Sequence, residues 1–123
     1  MPRKILFVED EPNLQKTLSK ILEEENYQVI HALDGEIGLS MAKKEKPDLI
    51  LLDLILPKKA GFEVLQELKN EPETMEIPVI VLTNLESPDD VEKALELGAK
   101  TYLIKSNYNL EEILQKVEAA IKQ

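Results

Sequence analysis

Asp53 follows the apolar run Leu49-Ile50-Leu51-Leu52, and a carboxylate there must either ionise within a polar cluster or carry a raised pKa. Glu9 and Asp10 follow a second run, Ile5-Leu6-Phe7-Val8. A third, Val79-Ile80-Val81-Leu82, stops at the hydroxyl of Thr83, and a fourth, Tyr102-Leu103-Ile104, stops at the amine of Lys105. If these runs are parallel strands, their carboxyl ends share one edge, which is where open α/β sheets bind ligands. The pattern then gathers a cation-binding acid cluster, a hydroxyl donor and a fixed positive charge in one pocket. Taken singly, each residue has a plainer role: acids after strands often cap helices, and a lone Lys or Thr there is often a solvated or turn residue. Their joint occurrence carries the signal.

Between the runs the apolar period becomes helical. Leu14, Leu18, Ile21 and Leu22 mark one helix face after Pro12, which suits a first turn. Asp34-Gly35 opens a second helix carrying Ile37, Met41 and Ala42, and Phe62, Leu65 and Leu68 stripe a third, with Gly61 near its start. Ser87-Pro88-Asp89-Asp90 is a start signal for a fourth, and Gly98 is placed to cap its end. Asn109 with Glu112 forms a capping-box pattern for the last, whose face is Leu110, Ile113, Leu114, Val117 and Ile121.

With Val29-Ile30 as a weaker strand, five strands alternate with five helices. The alternation predicts an α/β fold with a doubly wound, five-stranded parallel sheet. The run at 48–56 is expected in the middle, being the most continuously apolar. Two arrangements fit: the flavodoxin-like order 2-1-3-4-5 and a truncated nucleotide-binding half. The first turn, Glu9-Asp10-Glu11-Pro12, is acidic and free of glycine, so it cannot cradle a pyrophosphate or flavin phosphate.

The 123 residues, 43% hydrophobic, suffice for one core and one domain. Lys plus Arg is 15 against 24 for Asp plus Glu, and the net charge of −9 repels phosphate backbones and anionic lipid, so no direct nucleic-acid or membrane binding is expected. No cysteine is present, which excludes a disulfide framework and suits a reducing, cytoplasmic setting. No apolar run matches a signal peptide or a transmembrane helix. His31, the one histidine, reads as a surface or packing residue rather than a phosphorelay site.

Val8-Glu9-Asp10-Glu11-Pro12, Leu52-Asp53-Leu54-Ile55-Leu56-Pro57, Gly61-Phe62-Glu63-Val64-Leu65, Pro78 to Thr83, and Leu97-Gly98-Ala99-Lys100 leading to Tyr102-Leu103-Ile104-Lys105 together resemble the receiver domain of two-component response regulators. The resemblance is co-linear, spans essentially the whole chain, and selects the 2-1-3-4-5 order. It implies a phosphorylation switch rather than a conventional enzyme. Asp53 would accept a phosphoryl group from a sensor histidine kinase or histidine phosphotransfer protein. Mg2+ (or Mn2+) would be held by Asp10, Asp53 and the backbone carbonyl of Ile55, with Glu9 acting through water. Lys105 and Thr83 would stabilise phosphoryl charge. Thr83 and Tyr102 would relay the change to a face made by the fourth helix, fifth strand and fifth helix, where an effector docks. With residues 1–123 read as one receiver domain and no output domain, docking is the expected output, as a monomer or a phosphorylation-dependent dimer.

Three departures from the family pattern stand out. Lys105 precedes Ser106, not the usual cis proline, and a cis peptide without proline costs about 2.5–4 kcal/mol, so the loop is expected either trans or strained in service of the site. This loop is also one residue longer than usual, with Tyr108 in place of a Phe. Asn84 is larger than the usual small residue after the Thr, and Lys58-Lys59-Ala60 removes the third helix's usual acidic cap. Ile55 and Leu85, two residues past Asp53 and Thr83, cannot orient a hydrolytic water, which predicts a long-lived acyl phosphate. The rival readings are a pseudo-receiver that binds partners without phosphate and a small Asp-based phosphatase. The phosphatase lacks its second acid, because Ile55 stands there.

Overall fold

The four apolar runs carry large side chains on both strand faces, so each face needs its own cover of helices. The computed structural model describes residues 2–122 and supplies that cover. In order the elements are β1 (Lys4–Val8), α1 (Pro12–Glu24), β2 (Gln28–Ala32), α2 (Gly35–Glu45), β3 (Leu49–Leu52), α3 (Gly61–Asn70), β4 (Val79–Thr83), α4 (Pro88–Glu96), β5 (Thr101–Ile104) and α5 (Leu110–Ile121). A single 3-10 turn, Lys105–Asn107, precedes α5.

The strands form one parallel sheet in the order β2-β1-β3-β4-β5, the flavodoxin-like arrangement. Alternate residues serve the two faces. Leu6, Val8, Ile50, Leu52, Val79 and Val81 pack with Leu39 and Ala42 of α2, Val64, Leu65 and Leu68 of α3, and Ala94 of α4. Ile5, Phe7, Leu49, Leu51, Ile80 and Leu82 pack on the other side with Leu18 and Leu22 of α1 and Ile113, Val117 and Ile121 of α5.

β3 is central, as its composition predicts, but it ends at Leu52 rather than running through 56. The Asp53 amide still donates to the Val8 carbonyl, and the Asp53 carboxylate then accepts from the Ile55 amide, turning the chain out of the ladder. The helix starts follow the sequence signals. Ser87 accepts from the Asp89 amide, Asp34 from Ile37, and Asn109 with Glu112 completes a capping box. Gly98 ends α4 at φ +111°, a left-handed conformation favouring glycine, and α3 begins at Ala60 without a side-chain cap. α2 departs from expectation. Ile37 is 46% exposed, and the inner face is Gly35, Gly38, Leu39 and Ala42. A side chain at Gly38 would meet Val8, so α2 lies close on β1 and its face is rotated to present the small residue.

Candidate functional site

The carboxyl ends of β1, β3, β4 and β5 bring the singled-out residues together. Glu9 and Asp53 are buried, and Asp10 beside them is exposed. One carboxylate oxygen from each of Glu9, Asp10 and Asp53 lies within 4.8 Å of the others. Lys105 reaches across from β5, its Nζ 2.9 Å from Asp53 Oδ2 and 2.9 Å from Glu9 Oε1. The remaining carboxylate oxygens are met by backbone amides: Ile55 N–H donates to Asp53 Oδ1 at 3.1 Å, and Glu11 N–H donates to Glu9 Oε2 at 3.0 Å. The lysine and the loop amides thus hold both buried acids in place.

Burial pushes the Glu9 carboxyl above its ordinary pKa, with the Lys105 hydrogen bond opposing and the Asp53 charge reinforcing the shift. Burial alone would lower the Lys105 amine, but hydrogen bonds to Glu9 and Asp53 and their charges reverse this and raise it. With all groups ionised, three carboxylates against one ammonium leave a formal charge of −2. Exposed Asp10 opens this cluster of hard oxygen donors to solvent. The donor set is compatible with a hard divalent cation, which favours oxygen ligands.

Thr83 ends β4 fully buried, and its Oγ1 has no hydrogen-bond partner among the described residues. A buried hydroxyl left unpaired is costly unless a ligand supplies the partner. Tyr102 is half-buried on β5 and donates its hydroxyl to the Leu85 carbonyl at 2.9 Å, tying β5 to the loop that leaves Thr83. Burial, with Asp90 and Asp53, raises its phenol pKa.

Residues 5–118 match the family model described as the response regulator receiver domain. The chain belongs to that family. It is 41% identical over 123 residues to the DNA-binding dual master transcriptional regulator RpaA of Synechocystis, covering 100% of this chain and 50% of that protein. The chain spans about half the length of the curated relatives it matches first. Among solved structures it resembles the BeF3-activated receiver domain of Klebsiella pneumoniae RstA, at 30% identity and TM-score 0.89, covering 98% of this chain and 99% of that one. It also resembles the Mn2+-bound form of response regulator Rcp1, at 37% identity and TM-score 0.83, covering 96% and 91%.

Around this receiver site the structure adds Gln15, which the sequence pattern did not single out, and shows what Gly61 is for. Gln15, on the inner face of α1, donates from Nε2 to the Glu9 carbonyl at 3.1 Å and so fixes the acidic turn. Its one signal was a polar residue beside the apolar stripe at Leu14 and Leu18. Gly61 N–H donates to the Leu54 carbonyl at 3.0 Å, and a Cβ there would collide with the backbone of Asp53 and Leu54. The start of α3 is therefore seated directly on the Asp53 loop. The Lys105-Ser106 segment forms the 3-10 turn, and every peptide bond among the described residues is trans. The loop delivers Lys105 to both acids without proline. Tyr108 packs against the core on the α1 and α5 side, and Asn84 is exposed. His31 Nε2 lies 3.0 Å from the Ser19 hydroxyl, on the edge strand β2. Among the described residues no helix is long and apolar enough to cross a membrane.

Proposed function

We propose that this receiver domain is a phosphorylation-activated switch. Asp53 attacks the phosphorus of a phosphohistidine on a sensor kinase or phosphotransfer protein. An oxygen–phosphorus bond forms, the nitrogen–phosphorus bond breaks, and the leaving imidazole takes a proton from solvent. Asp10, Asp53 and the Ile55 carbonyl hold Mg2+ (or Mn2+), with Glu9 behind them. The ion supplies charge neutralisation between the acids and the incoming phosphoryl group. The Mn2+ in the Rcp1 structure and the BeF3 of the activated RstA receiver support the same reading here.

Lys105 offsets negative charge on the transferred group, while the Thr83 hydroxyl turns to donate to a phosphoryl oxygen. That turn opens space behind Thr83, and Tyr102 exchanges its bond to Leu85 for an inward position. The face formed by α4, β5 and α5 changes shape, and an effector protein in the cytoplasm reads it. The observation that carries this reading is the convergence of three carboxylates and Lys105 beside an unpartnered buried hydroxyl.

The test is intact mass after incubation with acetyl phosphate, with and without Mg2+, for the wild type and Asp53→Ala. One added phosphoryl group that requires both Mg2+ and Asp53 is the expected result. An unmodified wild-type chain that also fails to bind beryllofluoride would overturn the reading in favour of a phosphate-independent interaction module.

A further inference from the structure

Pro88, Val91 and Leu95 recur along α4 at three- and four-residue spacing and so share one side of the helix. With Glu86, Glu92 and Glu96 they line a groove of about 590 Å3. Leu95 is 46% exposed, although its neighbour Ala94 is fully buried. Residues 86–96 hold five carboxylates, Glu86, Asp89, Asp90, Glu92 and Glu96, against Lys93 alone, a net formal charge of −4. Lys93 does not line the groove; its Nζ is held 4.4 Å from the centre of the Phe62 ring. An apolar floor inside an acidic rim has the anatomy of a protein interface rather than a small-molecule cavity.

The charge selects the occupant. A two-fold dimer closed through α4 would set these carboxylates against their own copies, and like charges facing each other across an interface oppose association. The neighbouring output helix offers no basic complement, because α5 carries Glu111, Glu112 and Glu118 against Lys116 within its span. Anionic lipid is repelled by the same field.

We propose that the α4 groove docks a basic segment of a partner protein. An apolar side chain seats on Val91 and Leu95 while Lys or Arg residues meet Glu86, Glu92 and Glu96. The inference rests on the receiver reading for when docking occurs; the preference for a basic partner stands on the groove alone.

The probes are two short amphipathic peptides with the same leucine pattern, one with Lys and the other with Glu at every polar position, followed by fluorescence anisotropy. The Lys peptide is expected to bind, more weakly as salt rises, and the Glu peptide not to bind. Leu95→Ser should weaken binding about tenfold, as loss of an apolar anchor does. The triple variant E86K/E92K/E96K should reverse the peptide preference, while E24K/E25K, at the end of α1, should leave it intact. Equal loss in E24K/E25K would mean nonspecific attraction to an acidic protein and would overturn the proposal. So would a Leu95→Ser variant that binds as the wild type does, or a homodimer in ultracentrifugation that Leu95→Ser dissolves. Each titration is run before and after acetyl phosphate treatment, with the adduct scored by mass. An adduct without Lys-peptide binding in either state overturns the groove and leaves the receiver reading; Lys-peptide binding without any adduct does the reverse.

Discussion

Lys105 Nζ lies 2.9 Å from Asp53 Oδ2, with the lysine side chain only 13% exposed, so the group that stabilises the carboxylate is nearly as buried as its partner. The same ammonium serves Glu9. Lys105→Met therefore leaves two buried carboxylates facing each other without a counter-charge. Protonation of Glu9, already favoured by burial, limits the penalty, and the expected loss is about 2–3 kcal/mol at neutral pH. Urea unfolding checks this, and unchanged stability would mean that the ion pairs do not hold the apo site together.

Asp10 should behave in the opposite sense. It is the exposed member of the acid cluster and adds repulsion to Glu9 and Asp53. Asp10→Asn is expected to stabilise the metal-free protein by about 0.5–1 kcal/mol. The same change should abolish most of the rise in stability that added Mg2+ gives the wild type, a rise that follows from ligand linkage. Thermal unfolding with and without Mg2+ reads both effects. A variant that remains as Mg2+-responsive as the wild type would remove Asp10 from the metal site.

Gly61 couples the third helix to the Asp53 loop. A methyl group there meets the backbone of Asp53 and Leu54, so Gly61→Ala must lift α3 or displace Asp53. Destabilisation of about 1–3 kcal/mol is expected from the overpacking, together with slower acetyl phosphate labelling. Wild-type labelling kinetics in a destabilised variant would show that α3 moves and the site does not.

Ile55, 55% exposed, and half-buried Leu85 stand two residues past Asp53 and Thr83 and offer no group to orient a water. The acyl phosphate should therefore decay slowly. Ile55→Asn combined with Leu85→Gln is expected to speed hydrolysis about tenfold, a small share of what a well-placed acid or base supplies. Loss of the added mass over time gives the rate, and equal decay in both proteins would defeat the explanation.

Tyr102 carries an alkaline signature. Burial, with the charges of Asp90 and Asp53, raises its phenol pKa, so the folded chain holds that proton more tightly than the unfolded chain does. The resulting stability is fully present below the ordinary phenol pKa of about 10 and is lost as pH rises through the higher folded value. Stability should fall less steeply at alkaline pH in Tyr102→Phe than in the wild type. Tyr27 shifts in the same direction, so the difference between the two curves is the quantity to measure. Parallel curves would mean that Tyr102 is solvated.

Much of this molecule is legible from runs and their endings. Four apolar stretches, each stopping at a residue of distinct chemistry, give the sheet edge and the acid–lysine cluster, because strand direction alone brings those ends together. Helix starts were readable because Ser87, Asp34 and Asn109 act locally, on amides two or three residues away. Contacts between distant elements were not readable. Ile37 looked like a core residue until the approach of α2 to Val8 selected Gly38, and nothing in the spacing marked Gln15 as the residue that reaches the Glu9 carbonyl. The sequence could not fix how the Lys105-Ser106 loop would fold, since a trans 3-10 turn there depends on where both acids sit.

Asp53 follows the central, fully buried strand of the sheet, its amide bonded to β1, whereas α4 contributes a single fully buried residue, Ala94. The two ends of the proposed signal thus occupy opposite extremes of local stability. Amides of β3 should exchange with solvent only when the whole domain opens, while those of α4 exchange through small, frequent openings. A chemical event at the rigid end need not drag a stiff lever. It can be heard as a change in how often a loosely fastened helix lets go.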